Sequence, residues 1–289
     1  MSDASSSAAH PDPRYVAARR VLLDALQALA PQAPAAILAG AQAVYLRTGD
    51  TDLAVAPFTT DGDLVLDPTV LGDNPALEAT MGGAGFELSI VDGHVEPGIW
   101  VATTLIDGRE LVVPVVLIVP EAAAPPGGRR SVRLPGHDRQ ATRRAVGVEA
   151  ALIDHSTMAI GALDPTDRRM IDIEVAGAAA LLVAKAHKLH DRLSDGRVDR
   201  LVDKDAADVV RLMQTARAAD VAATMRTLVA DRRAGAVTTS ALAHLGATFG
   251  RRGRPGIAMA TRALRLALPP EAIEALCVAY MAELTRELE

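Results

Sequence analysis

The sequence predicts an α+β fold, with a mixed β-sheet domain in the first 176 residues and a helical domain after it. Three observations carry this. Short apolar runs bounded by Gly and Pro fill the first part, an Asp-Gly dipeptide joins two β-rich runs at Asp107-Gly108, and beyond Gly177 every apolar pattern has helical spacing.

Residues 1–12 are Ser-, Ala- and Pro-rich and read as a disordered tail without the basic-then-apolar order of a signal peptide. From Pro13 to Ala30, Val16, Val21, Leu22, Ala25, Leu26 and Leu29 repeat at helical spacing until Pro31 and Pro34 end the run. Ala35 to Ala39 reads as a short strand that stops at Gly40, and Ala41 to Arg47 as a helix leading off it. Asp61 to Asp67, bounded by Pro57 and Pro68, reads as a strand entering a core. Strands are expected at Phe86–Val91, Ile99–Ile106 and Glu110–Val119, then a polar loop from Pro120 to Gly136. A second hairpin follows, Met158–Leu163 and Met170–Val175 around Asp164-Pro165. Helices are expected at Ala178–Leu193, Lys204–Arg217, Val221–Val229, Thr239–Thr248 and Pro270–Leu288. Ser194 to Asp203 and Gly250 to Gly256 read as loops. The domains are thus 13–176 and 177–289.

The single cysteine, Cys277, excludes an internal disulfide and a thiolate zinc site, which suits a reducing, cytoplasmic setting. No apolar run approaches the ~20 residues needed to span a bilayer, so no membrane partner is expected. A net charge of −6 gives no global pull toward nucleic acid, so an RNA contact would need a local patch. Arg129, Arg130, Arg133, Arg139, Arg143 and Arg144 form one such segment, and Arg251, Arg252 and Arg254 another; either also reads as a solvated loop. Only three of the 30 basic residues are lysines, Lys185, Lys188 and Lys204, all within twenty positions. That clustering is either chance in an Arg-preferring chain or a place where a compact ammonium is needed.

Two constellations could carry chemistry. Asp61 and Asp63, spaced by one residue on a strand, point to the same face and can grip one hard cation such as Mg²⁺ or Mn²⁺. An Asp-x-Asp also occurs in turns and on solvated edges. The metal reading gains from Gly40, which opens a helix some twenty residues upstream and would let a phosphate approach backbone N–H groups. Asp67, before Pro68, reads as a turn residue. In the second constellation, Lys185 and Lys188 share one helix face, and Asp205 and Asp208 share a face of the next helix. Paired antiparallel, these helices would bring ammonium and carboxylate groups to one cleft, or would form an interhelical ion pair or two solvated faces. His187 and His190 read as polar helix residues, having no partner set for a metal.

Together, Gly40-Ala41, Asp61 and Asp63 flanked by Thr60 and Gly62, Ala184-Lys185-Ala186-His187 and Lys204-Asp205-Ala206-Ala207-Asp208 resemble the bacterial nucleotidyltransferases of the AbiEii/AbiGii toxin type, the toxins of type IV toxin-antitoxin systems. The resemblance covers residues 35 to 213. It implies Mg²⁺-dependent transfer of a nucleoside monophosphate from an NTP, in some relatives onto the 3′ end of tRNA, and a cognate antitoxin as partner. It further implies that Asp61 and Asp63 hold the metal, that Lys185 contacts phosphate, and that Asp208 orients a catalytic group or the acceptor. Gly40, Ala41, Thr60, Lys188 and Asp205 would line the nucleotide.

There are two departures. Relatives usually have Gly-Gly or Gly-Ser where this chain has Gly40-Ala41. The fold usually adds a third carboxylate from a later strand, and the matching place, within Val113 to Pro120, is Val116; Asp172 and Glu174 are the candidate substitutes. The expected functions are therefore an RNA-modifying nucleotidyltransferase, a non-catalytic nucleotide- or partner-binding module of the same fold, or an enzyme modifying a small molecule such as an aminoglycoside.

Overall fold

A computed structural model describes residues 11–49, 59–126, 130–195 and 203–289. Most of the expected tail, Pro57, Arg129 and most of the loop between Ser194 and Asp203 lie outside the described residues.

Helix α1 (Pro13–Ala28) starts where Asp12 caps it, the carboxylate accepting from the Arg14 amide at 2.8 Å, with Pro13 in the first turn. Strand β1 (Ala36–Ala39) runs directly into α2 (Gly40–Thr48), and β2 (Gly62–Leu66) returns antiparallel to β1. Next come α3 (Leu77–Gly83), β3 (Glu87–Val91), β4 (His94–Ile106), β5 (Arg109–Pro120), β6 (Arg143–Ala145), β7 (His155–Gly161) and β8 (Met170–Ala176). Six helices follow: α4 (Ala178–Ser194), α5 (Asp203–Thr215), α6 (Ala218–Ala230), α7 (Gly235–Phe249), α8 (Pro255–Leu264) and α9 (Pro270–Leu288).

The sheet is mixed, in the order β3-β4-β5-β2-β1-β8-β7, with β6 pairing the far part of β5. β2 and β5 are parallel, as are β1 and β8, and β5 and β6; the other pairings are antiparallel. Alternation along β2 decides its two faces. Leu64 and Leu66 are fully buried on the side covered by α1, where Leu22 reaches Gly62, and Asp63 points to the other side. α4 crosses that other side together with a 3₁₀ turn at Glu149–Leu152.

The last strand ends at Ala176, and every described element after it is a helix. The hydrophobic core does not break there: one cluster runs from Leu22 and Leu38 through Leu182 and Val209 to Leu284. With so few aromatics, Ala, Val and Leu fill it, and close helix contacts follow from the small side chains. Among the described residues no helix is long and apolar enough to cross a membrane.

Besides β6, the structure adds a hairpin and two helices to the sequence reading. β4 begins at His94, because Asp92 takes a positive φ of 51° and closes a second hairpin with the same Asp-Gly signal as Asp107, whose φ is 50°. α3 ends in glycines and has little intrinsic helix preference, but burial of Leu77 and Met81 holds it. α8 starts at Pro255, inside the stretch read as a loop, since proline is well suited to the first turn of a helix.

Candidate functional site

The site is built around Asp63. Ala39 of β1 is in register with Asp63, and the next residue, Gly40, begins α2 with φ +65°. A Cβ on Gly40 would stand 2.1 Å from Asp63 Oδ2, so the carboxylate lies directly against the glycine Cα at the start of the helix. Only glycine satisfies both the left-handed backbone and the close approach. Gly40→Ala should therefore cost about 1–2 kcal/mol from backbone strain alone and also push Asp63 aside. Urea unfolding with unchanged stability would refute this close-packed arrangement.

Asp61 lies just before β2, its side chain about one-third exposed. Its Oδ1 accepts from the Thr59 hydroxyl, which in turn accepts from Lys204 Nζ at 2.8 Å, and Lys204 itself is 3.9 Å from Asp61 Oδ1. The Asp61 carbonyl takes a long hydrogen bond, 3.4 Å, from Gln42 of α2, whose Oε1 accepts from buried Arg19 at 2.8 Å. Burial works against the Asp61 charge, but Lys204, the Thr59 hydroxyl, Lys188 and Lys185 outweigh it and hold its pKa below the usual carboxylate value. Asp63 behaves oppositely. Burial and then the neighbouring Asp61 charge raise its pKa, with Lys188 and Lys185 only partly offsetting them. No hydrogen-bond donor reaches Asp63 among the described residues. A half-buried carboxylate without a donor, beside a second carboxylate, is an arrangement that a divalent cation would relieve.

Asp63 opens onto a cleft of about 560 Å³ between the sheet and α4, lined also by Val116, Arg143, Lys185, Lys188 and Arg192. The volume is in the range of small-molecule sites. Val116 of β5 is directly in register with Asp63, so its isopropyl group lies on the same face beside the carboxylate, as strand alternation predicts. Neither Asp172 nor Glu174 lines the cleft. They lie on β8, on the far side of β1, where Glu174 is level with Ile37 and its carboxylate is held by His155 (2.7 Å) and Thr157. Among the described residues no third His, Cys, Asp or Glu completes a metal-ligating cluster.

The lysine cluster differs from expectation. Lys185 reaches the cleft but is nearly fully buried, its ammonium donating to Asp205 Oδ1 at 2.7 Å and Asp208 Oδ2 at 2.6 Å. Among the described residues Lys204 is the only lysine within ion-pair distance of Asp61, whereas Lys185 and Lys188 share the cleft with Asp63 and act on its charge. Asp205 also takes Arg192 and, at 3.3 Å, Lys188. Asp205 and Asp208 are buried between α4 and α5 and do not line the cleft, so the interhelical ion pair is the reading the geometry carries. Lys188, with a side chain 41% exposed and an Asp205 already shared with two other cations, is the lysine most open to a ligand. Ala41 is buried in the first turn of α2, and Thr60 does not line the cleft. His187 and His190 pack α4 against His244 of α7, and His187 Nε2 bonds the Val237 carbonyl at 2.8 Å.

Sequence reasoning assigned no role to Thr59 or Arg192, and it left Arg143 in a basic segment that either follows a phosphate backbone or is a solvated loop. Arg143 in fact stands on β6, in register with Ile118, with its side chain in the cleft. Burial and the nearby Arg130 lower its pKa from the usual guanidinium value, while Glu96 and Asp63 act the other way; it stays charged. Arg143-Arg144-Ala145 shows no alternation of polar and apolar residues, and three residues are too few to show a period.

The chain matches no protein-family model and no curated protein.

Proposed function

We propose that this protein is a cytoplasmic nucleotidyltransferase-type protein of the AbiEii/AbiGii kind, which binds an NTP with Mg²⁺ or Mn²⁺ in the cleft under α4. The observation that carries the reading is the donor-free Asp63 carboxylate, set beside Asp61 against Gly40 at the start of α2. Asp61 and Asp63 would hold the metal, which when bound supplies positive charge to a transferring phosphoryl group. The N-terminal end of α2 and Lys188 offer N–H groups and an ammonium to the phosphates. Lys185, Asp205, Asp208 and Arg192 lock α4 to α5 and so hold Lys188 over the cleft.

In the transfer, an acceptor hydroxyl oxygen forms a bond to the α-phosphorus as the bond to the departing pyrophosphate breaks. The hydroxyl proton must pass to water, because Val116 stands beside Asp63 where a carboxylate base would serve. That same observation favours a second reading, a nucleotide-binding module with little or no transfer. Both agree on nucleotide binding and differ on turnover; the tRNA 3′ end, with an antitoxin as regulator, is the acceptor the family resemblance suggests.

Incubation with each labelled NTP, Mg²⁺ and total RNA separates them. Slow label incorporation is expected, and Val116→Asp should raise it by about 10²- to 10⁴-fold, the usual worth of a positioned acid-base group. Fast incorporation by the native protein that Val116→Asp does not improve would mean that the base lies elsewhere. Absence of nucleotide binding with any NTP and metal would end both readings.

A further inference from the structure

We infer that the β6 side of the cleft is a phosphate site anchored by Arg143, and that the acceptor of the proposed transfer is consequently an anion. The word acceptor rests on the nucleotidyltransferase reading; the phosphate site does not.

The sheet order sets two flanks around Asp63. On the β1 side stand Gly40 and the start of α2. On the β5 side stands Val116 and, one strand further, Arg143. Because Arg143 is level with Ile118, two residues along from Val116, its side chain shares the face of Asp63. Its backbone is pinned from several directions. It pairs with β5, bridges to Ser131, and follows a segment held by the Gly98 amide to the Gln140 carbonyl at 2.8 Å and by the Trp100 indole to the Ala141 carbonyl at 2.9 Å. Gly98, at φ +70°, lets this segment in, since a Cβ there would lie 2.4 Å from the Arg143 nitrogen. The guanidinium at the end of this fixed strand has no hydrogen-bond or ion-pair partner among the described residues. By contrast, Arg144 is tied to Glu121 at 2.8 Å and to the Pro125 carbonyl.

A transfer needs two partners, one on each side of the metal-binding pair. With α2 and Lys188 suited to the polyphosphate, the other partner meets Val116 and the Arg143 fork. Five N–H donors in a planar fork match a phosphate bidentately. They repel a polycation, which argues against an aminoglycoside acceptor. A phosphate diester in an RNA strand and a small phosphate monoester share the chemistry required.

The test uses the full chain in EDTA, with fluorescence anisotropy of a labelled single-stranded RNA 12-mer and competition by ribose 5-phosphate. Mg-NTP binding is measured separately by calorimetry. Arg143→Gln should weaken RNA or ribose 5-phosphate binding by about 10-fold or more, the usual weight of a charge-assisted pair, with Mg-NTP affinity within twofold of native and an unchanged melting temperature. Arg143→Lys should recover part of the loss. Competition at similar concentrations by ribose 5-phosphate would identify a monoester as sufficient, and RNA binding without such competition would identify a strand. Equal loss of Mg-NTP and phosphate binding, or no loss of either, overturns the assignment. If the protein binds no NTP at all but Arg143→Gln still abolishes phosphate binding, the site stands and only the transferase reading fails.

Discussion

Asp63→Asn should abolish metal-dependent NTP binding, lowering affinity by about 100-fold or more, since even partners of metal ligands typically cost 10- to 100-fold. The substitution keeps the shape of the side chain, so packing against Gly40 survives. It removes one of two adjacent negative charges, so the metal-free variant should be as stable as native or more stable. A pH series gives a second check. The folded-state pKa of Asp63 is raised, so its ionised form costs stability above the ordinary carboxylate range, and that cost disappears as pH falls below the raised value. The stability difference between Asp63→Asn and native protein, measured by urea unfolding without metal, should therefore shrink on acidification. Metal-dependent binding should be lost over the same interval, at higher pH than for an ordinary carboxylate. If Asp63→Asn binds Mg-NTP as the native protein does, Asp63 is not a metal ligand.

Lys185→Met should destabilise the protein by about 3–5 kcal/mol, the usual cost of removing one partner from a buried ion pair. The ammonium sits between Asp205 and Asp208. Asp205 would keep Arg192 and Lys188, but Asp208, 1% exposed, would lose its only ion-pair partner among the described residues. Adding Asp208→Asn should restore part of the stability, because the stranded charge is then gone. The network should hold over a wide pH range. Despite its burial, the Lys185 pKa is raised by Asp208 and Asp205, so its contribution is complete below the ordinary lysine value of about 10 and is lost only as pH rises through the raised value. The pKa of Asp205 is lowered by Lys185, Lys188 and Arg192 against the effect of burial, so its contribution is complete above about pH 4 and is lost as pH falls through the depressed value. A loss below 1 kcal/mol in denaturant unfolding would show that Lys185 is a cleft residue first and a structural one second.

Each charged group is legible in the sequence to the extent that its surroundings are local. Asp63 could be read as pointing out of a strand because alternation acts over two residues, whereas Asp61 lies just before β2 and does not line the cleft; Asp67 could be read as a turn residue because its carboxylate bonds Thr69 just beyond it. Val116 was legible only through the family resemblance, and its place beside Asp63 is set by the pairing of β5 with β2. Arg143 was not legible, since its place depends on a three-residue strand admitted by Gly98, which lies 45 positions earlier.

By itself the sequence determined the α+β class, the short strand that passes through Gly40 into a helix, and the change to helices after Gly177. Those follow from periodicity and turn chemistry, which act over a few residues. The tertiary structure alone decided that Lys204 faces Asp61, that Lys185 is neutralised by Asp205 and Asp208, and that Arg143 rather than a carboxylate flanks Val116. These depend on the order of strands in the sheet and on how α4 and α5 pack. Such contacts join residues distant in sequence, and burial and charge select among the side chains only after the chain has brought them together.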